Sequence, residues 1–221
     1  MVNSTATWLD DVPSLASPSL RAMQYGSRLL LNRLAEDRAL LTCLVHEIPH
    51  HPERLVASRV TLLLNRLSLY QAPDRSFEIR LNMQPRPDNQ LVPHDHCYTF
   101  ATRILTGGYV HVVRRRTNGW DGSFTGDDLE PAVVTVERPG SSYTLGHTMV
   151  HQAVMEPETV TLFVRGPRRK AASHAAEGFM PPKDTWPAPA APDEEAVESR
   201  SATIAEYEQM RDYLIQRRLI D

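Results

Sequence analysis

Cysteine is nearly missing from this 221-residue chain: Cys43 and Cys97 are the two present. Two cysteines cannot build a disulfide framework, and a reducing cytoplasm is the expected setting. No apolar run approaches the roughly 20 residues that cross a bilayer, so no membrane partner is expected. The first residues carry Asp10 and Asp11 and no unbroken apolar core, so no signal peptide is expected there. An excess of one charge is missing as well. The formal net charge is −3, which offers nucleic acid no strongly basic field. The basic runs Arg114-Arg115-Arg116 and Arg168-Arg169-Lys170 are expected to be solvated, the first at a strand end where it discourages edge pairing. What remains is ordinary for a globular protein, with 41% hydrophobic and 23% charged residues, and a length that suits one domain with appendages.

Patterning along the chain changes twice. Residues 1–17 read as loose and polar. From Ser19 to about Glu47, Leu20, Met23, Leu30, Leu34 and Leu41 recur at helical spacing among good helix formers. Gly26 is a candidate break between two helices, and Pro49 ends the run. Beyond residue 54 the period shortens to two. Leu67 and Leu69 alternate with polar neighbours, and so do Phe77, Ile79, Leu81 and Met83, as in half-buried strands. Tyr98 to Val113 is rich in β-formers and broken by Gly107-Gly108, which reads as a hairpin turn. Ala132–Val136 is a further strand. Thr148–Val154 and Thr159–Arg165 flank Glu156-Pro157-Glu158, a second hairpin candidate. Short strands at close spacing indicate a sandwich or small barrel. Residues 168–202 have the Pro/Ala-rich composition of a linker or lid, with Phe179 or Trp186 placed to approach a pocket. Thr203 and Glu206 form a capping-box pattern for a last helix over 203–221, with Ile204, Tyr207, Met210 and Leu214 on one face. That face needs cover from the same chain or from a second subunit, and a homodimer is the expectation.

The chemistry concentrates in Pro93-His94-Asp95-His96. On a strand, alternate side chains share a face, so His94 and His96 project together as a two-imidazole clamp for a transition metal. By itself this spacing fits an exposed strand as well as a metal site. Further along the chain, Gly140 is followed across ten residues by His151.

These segments resemble the two motifs of the cupin superfamily. His94 and His96 match the first motif, and Gly107 falls where its hairpin glycine is expected. Its acidic position falls on Phe100 or Ala101, so the usual glutamate ligand is missing. Gly140 and His151 match the second motif. Its inner proline and glycine fall on Gly146 and Thr148, and its final asparagine on Met155. The resemblance covers about residues 67–167. It implies a mainly β fold: a cupin (jelly-roll-like) β-barrel over 55–167, behind a helical N-terminal extension over 1–54. Three histidines without a carboxylate further resemble the subgroup typified by cysteine dioxygenase and other thiol dioxygenases, which implies metal ligation by His94, His96 and His151. That subgroup's crosslinking cysteine falls near Ala101, and its partner tyrosine and companion histidine near Arg168 and Gly166.

The resemblance implies a mononuclear non-haem Fe(II) dioxygenase acting with O₂ on a small chelating thiol or carboxylate. Zn, Ni, Cu or Mn suit the same ligands. The alternatives are a Zn- or Mn-dependent isomerase or lyase, and a non-catalytic small-molecule-binding cupin. Tyr98, two residues after His96, is expected on the inward face. His147 is a candidate acid, base or alternative ligand. Arg80 is a candidate for holding a substrate carboxylate with its planar fork. Arg103, Tyr143 and Arg165 are further pocket candidates. His46, His50, His51, His111 and His174 are expected to be structural or exposed.

Overall fold

The computed structural model describes residues 7–12, 15–17, 19–61, 64–84, 88–179 and 200–221. Three helices lead into the β region: α1 (Leu20–Glu36), α2 (Arg38–His46) and α3 (Pro52–Ala57). Ser19 caps α1 by accepting from the Ala22 N–H. The chain does not break at Gly26, which is buried inside α1. A mid-helix glycine costs about 1 kcal/mol in propensity, and buried Met23, Leu30, Leu31 and Leu34 on the same helix outweigh it. The break falls instead at Asp37, whose carboxylate accepts from the Leu40 N–H at 2.9 Å and starts α2. The N-terminal stretch is less loose than its composition suggests, because Leu15 is buried and Trp8, Leu9 and Val12 pack on the same core.

The strands follow: β1 (Arg59–Val60), β2 (Asn65–Gln71), β3 (Glu78–Gln84), β4 (Asp88–His94), β5 (Tyr98–Thr106), β6 (Tyr109–Arg115), β7 (Phe124–Thr125), β8 (Val133–Glu137), β9 (Ser142–Leu145), β10 (Met149–Met155), β11 (Thr159–Arg168), β12 (Ala176–Glu177) and β13 (Arg200–Ser201). A final helix, α4 (Ile204–Gln216), closes the chain with the expected capping box. The larger sheet has the order β13-β1-β2-β3-β11-β5-β9, and the smaller one β4-β10-β6-β8. Apart from the short parallel pair β7 and β12, neighbouring strands run antiparallel.

Neither expected hairpin forms. β5 lies in the larger sheet and β6 in the smaller, so Gly107-Gly108 carries the chain from one sheet to the other. Glu156-Pro157-Glu158 does the same between β10 and β11. The turn chemistry was legible, but a turn does not dictate whether the strands it joins pair with each other. Gly107 is required on two counts. Its φ is +68°, and an added Cβ would lie 2.4 Å from Thr159 Oγ1 and 2.7 Å from Thr159 Cα.

The hydrophobic core lies outside the barrel. Ile79, Leu81 and Met83 of β3 share the outer face of the larger sheet with Val160, Leu162 and Val164 of β11. That face packs on α1, α2 and α4 as one cluster. The apolar face of α4 is covered within the chain: Tyr207, Met210 and Leu214 are buried, and the Tyr207 hydroxyl donates to the Val45 carbonyl at 3.1 Å. The opposite face of β3 carries Glu78, Arg80, Asn82 and Gln84 towards the inside. The inner face therefore holds polar and aromatic side chains, and the oily side of the sheet is turned to the helices.

Of the segment expected as a linker or lid, residues 168–179 pack beside the smaller sheet through β12, and Arg200–Ser201 form β13 against β1. Trp186 lies outside the described residues, and Phe179 is exposed. Among the described residues, no helix is long and apolar enough to cross a membrane.

Replacing Gly107 with Ala forces a left-handed backbone costing about 1–2 kcal/mol and adds the collision with Thr159. Gly119→Ala meets a similar backbone demand, φ +99°, in open space. Urea unfolding should show Gly107→Ala as the more destabilised of the two.

Candidate metal centre

His94 ends β4, His96 follows β4, and His151 lies in β10 directly opposite His94 in the antiparallel register. Strand pairing thus brings residues 57 positions apart into one cluster. One donor atom from each of the three lies within 4.8 Å of the others, and among the described residues this is the one such group. The ring centroids are 5.1 Å apart for His94 and His96, 4.5 Å for His94 and His151, and 5.0 Å for His96 and His151. His96 and His151 are each 5% exposed.

The donor atoms suit a metal. His96 Nε2 and His151 Nε2 are 2.8 Å apart. Two nitrogens bound at about 2.1 Å on adjacent octahedral corners stand about 3 Å apart, whereas tetrahedral corners need about 3.4 Å. The ring tautomers agree. His94 Nδ1 donates to the Val92 carbonyl at 3.0 Å, which leaves Nε2 with its lone pair. His151 Nδ1 meets His111 Nε2 at 3.0 Å. When His151 Nδ1 is the donor there, His151 Nε2 is free to ligate. His111 Nδ1 then carries its proton towards Glu137, 4.0 Å away. Oriented ring N–H partners of this kind fix a ligand's tautomer. Burial lowers the His151 pKa well below the usual imidazole value, and the neighbouring His94, His96 and His111 push the same way. His111 falls to about 4, chiefly through burial. Both are neutral at pH 7, the form in which an imidazole ligates.

His111 had been expected to be structural or exposed, and it is 2% exposed beside a candidate ligand. Its signal was available, since Tyr109, His111 and Val113 alternate on β6. Asp95 was missed altogether. Flanked by His94 and His96, its side chain points the other way and is fully buried. Its carboxylate meets Lys170 Nζ at 2.5 Å, Arg116 Nη1 at 3.3 Å and the His174 N–H at 2.8 Å. Arg116 and Lys170 are 9% and 5% exposed, so these members of the two basic runs are not solvated. Each neutralises part of a buried carboxylate, a role that neither run reveals by composition. Arg116 also reaches the carbonyls of Gly122 and Ser123 and lies over the Phe124 ring.

Tyr98 is half-buried on the inner face, its ring 5.6 Å from His96, and the Arg165 guanidinium lies 5.5 Å from its centre. Phe100 packs edge-on to His96 at 4.9 Å and stacks on Phe163 at 5.0 Å. A cavity of about 50 Å³ opens between these rings, His151 and Tyr143, room for a few water molecules. The Tyr109 and Tyr143 hydroxyls bond to each other at its wall, and burial raises the Tyr109 pKa well above its usual value, so this phenol stays neutral. His147 stands outside the donor group. Its Nδ1 pairs with Thr99 Oγ1 at 3.3 Å and its ring meets Trp120 edge-on at 5.6 Å. Arg80 faces inward, where Nη2 bonds Glu78 Oε2 at 2.6 Å. Arg103 faces outward and binds Asn32 of α1 at 2.8 Å.

Two outcomes follow. Asp95→Ala strands two buried cations, an error worth about 3–5 kcal/mol for a broken buried pair; urea unfolding of variant and parent should show that loss. The lowered His111 pKa has a definite sign. The unfolded ring takes up a proton near pH 6.5 and the folded one only near pH 4, so stability is complete above 6.5 and drains as pH falls towards 4. The melting temperature of metal-free protein should drop across that window, with a shallower slope in His111→Gln.

No family model and no curated protein matches the sequence. Among solved structures, KdgF from Halomonas sp. is similar at 18% identity and a TM-score of 0.36, over 50% of this chain and 85% of that one. An RmlC-like cupin from Shewanella frigidimarina is similar at 18% identity and 0.33, over 48% and 78%. HEPD from Streptomyces albus, solved with 2-hydroxyethylphosphonate and Fe(II), is similar at 14% and 0.37, over 50% and 24%. The two antiparallel sheets in this strand order, and the three histidines gathered at the paired ends of β4 and β10, agree with the mainly β barrel that the sequence motifs imply.

Proposed function

We propose that this chain is a mononuclear Fe(II)-dependent cupin oxygenase that acts on a small chelating substrate with O₂, in the manner of the thiol dioxygenases. The observation that carries this reading is the donor set. Three imidazoles converge with no carboxylate among them, and His96 Nε2 and His151 Nε2 stand 2.8 Å apart. Fe(II) held by these three residues would retain its full charge, which would suit a thiolate or carboxylate chelate together with O₂.

The chain's own residues have separable tasks. His94 and His151 present Nε2 because Val92 and His111 hold their Nδ1 protons. Asp95 fixes the backbone between His94 and His96. Phe100 and Phe163 line the inner side of the cluster, and the small cavity there limits the size of what can approach. Tyr98 is placed to orient a ligand beside His96 and carries a phenolic proton at that edge. His147 is held back by Thr99 and Trp120, so its role is at the rim rather than as a ligand.

Metal content measured on protein purified without air tests the reading. About one iron per chain, lost in His151→Ala, is the expected result, accompanied by oxygen uptake with a small thiol or carboxylate. Zinc without oxygen uptake would instead support Lewis-acid chemistry on the same ligands. No metal after loading with Fe(II) would reject the oxygenase and leave a binding barrel.

A further inference from the structure

The smaller sheet ends in a bare edge. β8 pairs with β6 on one side, and no strand pairs with its other side among the described residues. It reads Val133-Val134-Thr135-Val136-Glu137, and its three valines are 64%, 60% and 56% exposed. Register extends this apolar surface inward from the edge. Val134 stands beside Val112, and Val136 beside Val110, which has Val154 on its other side. His111 and His151 point into the barrel, so the alternating Val110, Val112 and Val154 lie on its outer wall. The helices cover the apolar face of the larger sheet. On the smaller sheet Phe124 and Ala176 cover Val150, whereas the valines of β8 stay in solvent.

An open edge offers unpaired N–H and C=O groups to any approaching strand, and proteins usually blunt it with lysine, proline or a bulge. β8 contains neither lysine nor proline, and its pairing with β6 runs without a register shift. The nearest proline, Pro131, precedes it. Branched valine side chains gain most from cross-strand neighbours, which the outer edge of β8 lacks. That edge is complementary to its own reverse. Arg138, directly after β8, is exposed and makes no side-chain ion pair among the described residues. Glu130, before β8, meets Arg115 at 4.0 Å in solvent. When two copies pair antiparallel about the middle of β8, valine meets valine across the two-fold axis. Arg138 of each copy then comes to the end where Glu130 of the other lies. A parallel pairing in register would instead set Arg138 beside Arg138.

We propose that β8 is the contact strand of a homodimer, in which two copies pair edge to edge and join their four-stranded smaller sheets into one continuous sheet. The contact is isologous, so it closes after two copies. The occupant is a second copy because the charges at the two ends of β8 match their own reverse. α4, the helix expected from the sequence to seek a second subunit, is not the contact: its apolar face is buried within the chain. The pairing is independent of the three histidines, none of which lies on β8. One strand edge makes a contact smaller than the ~1,200 Å² at which standard interfaces begin, so the dimer is weak and forms as concentration rises.

Sedimentation velocity of the full chain from ~5 to ~500 μM, the range of weak association, tests this. The mass should rise from one chain and level off at two. Val134→Lys sets like charges against each other at the middle of the joint and should weaken association at least tenfold. Its circular dichroism and melting should stay those of the parent, because Val134 is exposed. Arg138→Glu should weaken association too, by setting acid against acid. Adding Glu130→Arg to it should restore the dimer, a recovery that general damage to the surface does not produce. Ile215→Lys, on the exposed side of α4, should leave the mass unchanged. If Val134→Lys fails to fold, the paired charge reversal decides alone. A single-chain mass throughout the range overturns the proposal and leaves the edge to another occupant. So does a dimer indifferent to Val134→Lys and to the charge reversals, a dimer lost with Ile215→Lys, or a mass that climbs past two without levelling.

Discussion

A single buried carboxylate, that of Asp95, sets the geometry on which the site depends. A charge sealed from water is tolerated only when opposite charge and hydrogen bonds surround it, and Asp95 draws these from two separate parts of the chain. Arg116 comes from just beyond β6. Lys170 and the His174 N–H come from the strap that follows β11. Because Asp95 lies between His94 and His96 and points away from them, anchoring it fixes the plane in which the two imidazoles project. The arrangement turns the alternation of a strand into a device. One side chain of three faces outward and is locked, and its neighbours face inward and are thereby aimed.

The division of polarity across the larger sheet is the second organising feature. In a simple barrel the apolar residues point inward. Here Ile79, Leu81 and Met83 point out into a core shared with α1, α2 and α4. The inner face is released from packing duty and carries guanidinium groups, a carboxylate, hydroxyls and aromatic rings. The terminal helices are in this sense part of the functional design, since by covering the oily face they let the barrel interior be polar.

Much of this was legible in the sequence, and the failures have a common cause. Period-two alternation located β2 and β3, and His-x-His with a distant histidine located the cluster, because both depend on neighbours along one strand. What could not be read was pairing between strands. Gly107-Gly108 and Glu156-Pro157-Glu158 look like hairpins, and both turn out to link the two sheets. Arg116 and Lys170 look like solvent-facing charge until Asp95 is known to lie between them. His111 looked incidental until β6 was seen beside β10. Local chemistry fixes periodicity and turns, while partnership across the fold assigns faces and counter-charges.

The strap has a consequence for the order of events in folding. His94 bridges to Ala175, and Asp95 exchanges backbone and side-chain hydrogen bonds with His174, a loop of about 80 residues whose closure entropy must be met before its contacts form. Those contacts are among the longest-range in the barrel, and long-range contacts come late. During synthesis the two leading histidines leave the ribosome well before the residues that hold them, and they wait in a strand without its anchor. The geometry that aims the two imidazoles is therefore completed only after the strap has been made and has docked.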